Sequence, residues 1–179
     1  MNVFAIRHGE TAWSLSGQHT GTTDIPLTDN GRRLAERMRP VLAKEAFALV
    51  LCSPMQRARE TCELAGLGHK AVIDSDLVEW NYGEYEGLTP EQIHESAPGW
   101  LIFRDGCPGG EAPEQVGAPV DRVIARRAQP KATSRCLRTV TSCACSERGG
   151  SGCRPPPGSI SCSIPAGCAF SAFTATYPL

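Results

Sequence analysis

Val3-Phe4-Ala5-Ile6-Arg7-His8-Gly9-Glu10-Thr11 begins as an unbroken apolar run and turns abruptly polar. Four consecutive apolar residues, with no alternation, match a parallel strand buried on both faces. The polar cluster falls where that strand must end. Open sheets of parallel strands bind ligands outside the carboxyl ends of their strands. Arg7, His8 and Gly9 therefore stand where such a fold carries its chemistry.

The flanking sequence supports that sheet. Pro26-Leu27-Thr28-Asp29-Asn30-Gly31 is turn chemistry, with Thr28 or Asp29 able to cap a helix. Leu34, Met38, Val41 and Leu42 follow at spacings of three and four and predict one apolar helical face. Phe47-Ala48-Leu49-Val50-Leu51-Cys52-Ser53 reads as a second buried strand. Pro54 can open a helix carrying Arg57, Thr61 and Leu64. Strand and helix alternate, which predicts a three-layer α/β/α arrangement around a mostly parallel central sheet.

Composition narrows the partners. The chain has 179 residues, 21% of them charged, and a formal net charge of -1. It offers no basic field for nucleic acid and no acidic tail. Its first residues lack a basic leader followed by an apolar run, and no stretch reaches the roughly 18 apolar residues of a membrane span. A cytoplasmic protein is expected, with neither a nucleic-acid nor a membrane partner.

Beyond residue 127 the character changes. From Lys131 to Leu179 the acidic side chains reduce to Glu147, while Ser, Cys, Gly and Pro accumulate and no apolar strand is evident. Residues 1–127 are thus expected to form an α/β domain, incomplete at its C-terminus, and 128–179 a disordered, low-complexity tail. Six of the nine cysteines lie in that tail (Cys136, Cys143, Cys145, Cys153, Cys162, Cys168), but His8, His19, His69 and His94 all precede it. With no nearby histidine and no C-x2-C pair, neither a metal nor a cofactor is predicted. A Cys-rich metal-binding tail ranks last among the readings.

Two further motifs join the first. Ser53-Pro54-Met55-Gln56-Arg57-Ala58-Arg59-Glu60-Thr61 begins at the end of the second strand, and Glu79-Trp80-Asn81-Tyr82-Gly83-Glu84-Tyr85-Glu86-Gly87 follows Asp76-Leu77. In order and spacing the three segments resemble the phosphoglycerate mutase-like histidine phosphatase superfamily. The stretch Ser16 to Thr28 is similar to its substrate loop, and the likeness spans about residues 2–126. The resemblance implies phosphoryl transfer through phosphohistidine, without metal, to and from a small phosphorylated substrate.

It also assigns roles. His8 would attack phosphorus through a neutral imidazole nitrogen, its other nitrogen fixed by a hydrogen bond. Arg7 and Arg57 would fork the phosphoryl oxygens, with Gly9, Thr20, Gly21 and Thr22 completing the substrate site. Glu79 would protonate the leaving oxygen, its pKa raised by the anionic phosphate beside it. Arg59 competes with Arg57, and Glu84 and Glu86 compete with Glu79. His19 and His94 are expected in surface or loop positions, and Trp80, Tyr82 and Trp100 in core or pocket wall.

The family carries a second histidine on a later strand, in a motif of the type Ala-His-Gly-His. No histidine follows His94 in this sequence. Read from the third base of each codon, however, Ser134 to Thr141 permit Val-Ala-Leu-Phe-Ala-His-Gly-His. Ile160 to Ala166 likewise permit His-Phe-Leu-Leu-Asp-Thr-Gly, similar to the family's closing strand. A one-base deletion near codons 125–130 would account for both, and predicts a poorly soluble, nearly inactive product.

The short chain favours a phosphatase over a phosphoglycerate mutase, and the loop Trp13 to Gly21 resembles relatives acting on sugar bisphosphates. Ser14 stands there where mutases usually carry asparagine. A non-catalytic phosphate-binding module is the other alternative. The sequence does not specify an oligomeric state.

Overall fold

A computed structural model describes residues 2–127, 135–138 and 172–176. Strand β1 (Asn2–Ile6) is followed by helices α1 (Ala12–Ser16) and α2 (Asp29–Leu42), then β2 (Phe47–Cys52) and α3 (Gln56–Leu64). Next come β3 (Ala71–Ile73), α4 (Pro90–Ser96), α5 (Ile102–Asp105), α6 (Pro113–Arg127), β4 (Arg135–Arg138) and β5 (Ala172–Thr176). The five strands form one sheet in the order β3-β2-β4-β1-β5. Neighbours from β3 to β1 pair in parallel, and β5 pairs antiparallel with β1 at the edge.

Strand β2 shows why helices cover both faces. Successive side chains of a strand point to opposite sides. Val50 and Cys52 join Ile6, Leu42, Ala58 and Cys62 in a core beneath α2 and α3. Leu51, with Leu49, packs instead against Leu77 and Val123 of α6. The expected three-layer α/β/α architecture with a mostly parallel sheet is what forms.

Helix α2 keeps most of its predicted face, with Leu42 buried and Met38 packed against the core, but Val41 turns outward. Thr28 caps it, its hydroxyl accepting from Gly31 N at 3.0 Å. The buried positions are Gly31, Ala35 and Leu42, whereas Val41 is 63% exposed. Close packing explains the difference: a Cβ on Gly31 would stand 2.2 Å from the Glu10 carbonyl oxygen. In its first turn the helix presents Gly31, its smallest residue, to the loop after β1. Pro54 also lies outside α3, which Met55 caps from an extended conformation.

The sequence shows no apolar strand after residue 127, yet β4 and β5 both come from that part. Strand β4 fills the slot between β1 and β2, with Leu137 opposite both Phe4 and Val50 in register. Ladder pairing is made by backbone N–H and C=O groups, which every non-proline residue carries. Hydropathy alone therefore misses a short inner strand. The other residues of the expected low-complexity tail lie outside the described ones.

A second, aromatic cluster packs apart from the core of the sheet. Trp80, Tyr82, Ile93, Trp100 and Cys107 are buried together, as expected for the three aromatic residues. Trp80 Nε1 donates to Glu111 O at 3.0 Å and Trp100 Nε1 to Gly106 O at 2.7 Å, so neither indole buries an unmet donor.

Candidate active site

His8 lies two residues beyond β1 and is 7% exposed. Its Nδ1 is 2.7 Å from the Gly9 carbonyl. A carbonyl can only accept, so Nδ1 carries the proton and Nε2 keeps a free lone pair. Burial pushes the imidazole pKa down to about 4, and the positive charges of Arg57 and Arg7 push the same way. At neutral pH the ring is therefore uncharged. The loop is fastened from α3, where Thr61 Oγ1 accepts from Gly9 N at 2.9 Å and donates to Arg57 O at 2.7 Å.

Arg57, in the first turn of α3, has a fully buried side chain. Its Nη1 donates to Thr23 O at 3.0 Å, and Nη2 donates to Gly21 O at 2.8 Å and Thr20 O at 3.4 Å. Its Nε is buried with no partner among the described residues. Arg59 is exposed, so helical phase decides between the two arginines.

Glu79 approaches Arg57 from the segment after the 3-10 turn Ser75–Leu77, with Nη2 and Oε2 3.7 Å apart. Burial raises the Glu79 pKa to about 7, against the opposing pull of Arg57 and Arg7. The sequence assigned that rise to a bound phosphate. Here the protein already supplies it through desolvation. A neutral imidazole, a buried guanidinium and a carboxyl able to hold its proton near neutrality are thus gathered beyond the carboxyl ends of β1 and β2.

The family model for the histidine phosphatase superfamily (branch 1) matches residues 3–141. The chain belongs to that superfamily. It is 48% identical over 125 residues to an acid phosphatase of Mycobacterium tuberculosis, covering 69% of this chain and 61% of the relative. It is 38% identical over 144 residues to a sedoheptulose 1,7-bisphosphatase of Saccharomyces cerevisiae, covering 68% and 53%. The chain thus spans less than two thirds of either relative. A solved structure of an open-reading-frame product of Mycobacterium tuberculosis superposes with a TM-score of 0.71 at 41% identity, covering 77% of this chain and 72% of that one.

The remaining positions of this histidine phosphatase superfamily member divide by environment. Arg7 is exposed, but its charge acts on both His8 and Glu79. Thr20 is buried and Thr22 exposed, at the two sides of Gly21. Gly9 is pressed against α2, where a Cβ would stand 2.6 Å from Gly31 O. Ser14 spends its hydroxyl on the start of α1, accepting from Thr11 N at 2.8 Å. Glu84 is exposed.

His19 lies in a loop, as expected, but is not at the surface. Its half-buried ring stacks on Tyr82 with centroids 4.6 Å apart and meets Trp100 edge-on at 5.7 Å. Its flanking backbone explains this, since His19 N donates to Leu88 O and Gly87 N donates to His19 O, both at 2.9 Å. The pair ties the loop that carries His19 to the aromatic cluster, against which Leu88 packs. His94, at the end of α4, lies 3.0 Å from Trp100 O.

Thr61 and Gly31 shape the candidate site without standing out in the sequence. The first could be found four residues after Arg57, on the same helical face. No local signal marks the second.

Proposed function

We propose that this chain is a phosphatase lineage member that takes a phosphoryl group from a small phosphate monoester onto His8 Nε2. The observation that carries the reading is the 2.7 Å contact of His8 Nδ1 with Gly9 O, which fixes the tautomer of a buried, neutral imidazole. Arg57, through its unpartnered Nε, and Arg7, from the solvent side, would hold the equatorial oxygens. Glu79 would donate its proton to the departing oxygen and then take one from the water that attacks phosphohistidine. Thr20, Gly21 and Thr22 would border the substrate, and Gly9 would let the backbone pass close behind it. The relatives named acid phosphatase and sedoheptulose 1,7-bisphosphatase favour net hydrolysis, with a sugar phosphate as the substrate class.

We further propose that turnover is impaired because residues 128–179 are a shifted-frame product. Support comes from β4, which runs parallel beside β1 with Arg138 opposite Ala5 and ends just before the codons whose shifted reading is His-Gly-His. A histidine entering from that strand end would meet the loop that carries His8. Its loss costs roughly 10²–10³ in rate on the scale of one preorganised donor. The same loss favours a second reading, a phosphate-binding module that no longer turns over.

The test is a panel of phosphate monoesters, including sugar bisphosphates, assayed for released inorganic phosphate. Slow but His8-dependent release supports the proposal. Exchange between phosphoglycerates without net release would instead identify a mutase, and binding with neither outcome a non-catalytic module.

A further inference from the structure

Glu86 competes with Glu79 in the sequence and has no part in the chemistry above. Its carboxylate is nonetheless wired to the site. Oε1 accepts two backbone N–H groups of the substrate loop, Gly21 N and Thr23 N, each at 2.8 Å. The carbonyls of the same loop hold the Arg57 guanidinium. One linkage shows the connection most clearly. The peptide joining Thr20 to Gly21 is planar and trans, so its N–H and C=O point in opposite directions. The N–H is held by Glu86 and the carbonyl faces Arg57, which places a carboxylate and a guanidinium at the two ends of one peptide dipole.

The approach is built rather than incidental. Oε2 of Glu86 is buried without a hydrogen-bond partner among the described residues, and a Cβ on Gly21 would stand 3.0 Å from it. The same Cβ would lie 2.0 Å from Trp80 O, so only glycine lets the loop come this close. We infer that Glu86 is a positioning residue, fixing the 20–23 loop so that its carbonyls set the Arg57 guanidinium for an oxyanion. This rests on the reading of Arg57 as a phosphoryl ligand.

The geometry distinguishes reach from charge. Glu86→Gln keeps an acceptor oxygen at the same place, whereas Glu86→Asp keeps the charge but withdraws the oxygen from both N–H groups. Glu86→Ala removes both. Hydrogen exchange of the loop peptide and binding of orthovanadate are measured on the full chain and its variants. Glu86→Gln is expected to keep loop protection and to bind vanadate within about threefold of wild type. Glu86→Asp and Glu86→Ala should lose protection and bind about tenfold or more weakly.

Wild-type protection and affinity in both Glu86→Asp and Glu86→Ala would overturn the inference. So would lost protection with undiminished vanadate affinity, because the loop would then not govern Arg57. A variant that does not fold leaves the comparison of Glu86→Gln with Glu86→Asp to decide. If the wild-type chain takes up no vanadate, the phosphate-site reading falls, and loop protection in the variants still decides whether Glu86 holds the loop.

Discussion

Arg57 Nη2 lies 3.7 Å from Glu79 Oε2, yet Glu79 keeps its proton up to about pH 7. Attraction to a buried cation ordinarily stabilises a carboxylate. Here the loss of hydration outweighs it, because the side chain is almost wholly withdrawn from water. The consequence is an acid that can donate near neutrality beside a cation that can hold an anion.

The pH dependence follows with a definite sign. His8 must be neutral to attack, so phosphoryl transfer is lost as pH falls through about 4. Glu79 must be protonated to donate, so transfer is lost as pH rises through about 7. The rate of phosphohistidine formation per unit free substrate, followed against pH, should be bell-shaped between these limits. Glu79→Gln should abolish the alkaline limb and slow transfer from an alkyl phosphate by about 10²–10⁴, with a smaller effect on a nitrophenyl ester whose leaving group needs no proton. An alkaline limb that survives the substitution would remove Glu79 from the acid role.

Arg57 should matter to stability as well as binding. Its guanidinium is fully buried and satisfies three loop carbonyls. Arg57→Ala should destabilise the chain by about 3 kcal/mol in urea unfolding. Arg59→Ala, on the exposed face, should stay within about 0.5 kcal/mol. Equal effects of the two would show that the helical phase is misassigned.

Thr61 offers a test of the scaffold behind His8. Thr61→Val removes the acceptor for Gly9 N and leaves a buried donor unmet, at a cost of about 1–3 kcal/mol. Thr61→Ser restores the hydroxyl and should recover most of that loss in the same unfolding measurement.

Much of this was legible because chemistry in parallel sheets collects at strand ends. His8 follows β1, and Arg57 stands five residues after β2. Glu79 is readable from its motif, but its rival Glu86 is separated from it only by the loop geometry, which pairs Glu79 with Arg57 and Glu86 with the backbone of residues 21 and 23. What stayed hidden depended on fit between distant segments. Gly31 carries no hydrophobic signal, yet it meets Glu10 in the first turn of α2, while the more apolar Val41 faces solvent. Ladder pairing needs only backbone groups, so the composition of residues 135–138 does not reveal β4.

Frame repair tests the impairment. Inserting one base near codons 125–130 of the gene should yield a chain that ends in the His-Gly-His reading. Its phosphatase turnover should exceed that of the present chain by roughly 10²–10³ or more. Equal turnover of the two forms, or DNA across codons 120–145 that cannot spell the shifted reading, would remove the frameshift from the account.

The central claim is that His8 itself accepts the phosphoryl group. Exposing the chain to a radiolabelled phosphate monoester and quenching at intervals measures this directly. Acid-labile, base-stable label confined to the peptide containing His8, and absent from His8→Ala, is the result the structure predicts. Label that resists acid, or that persists in His8→Ala, would contradict it.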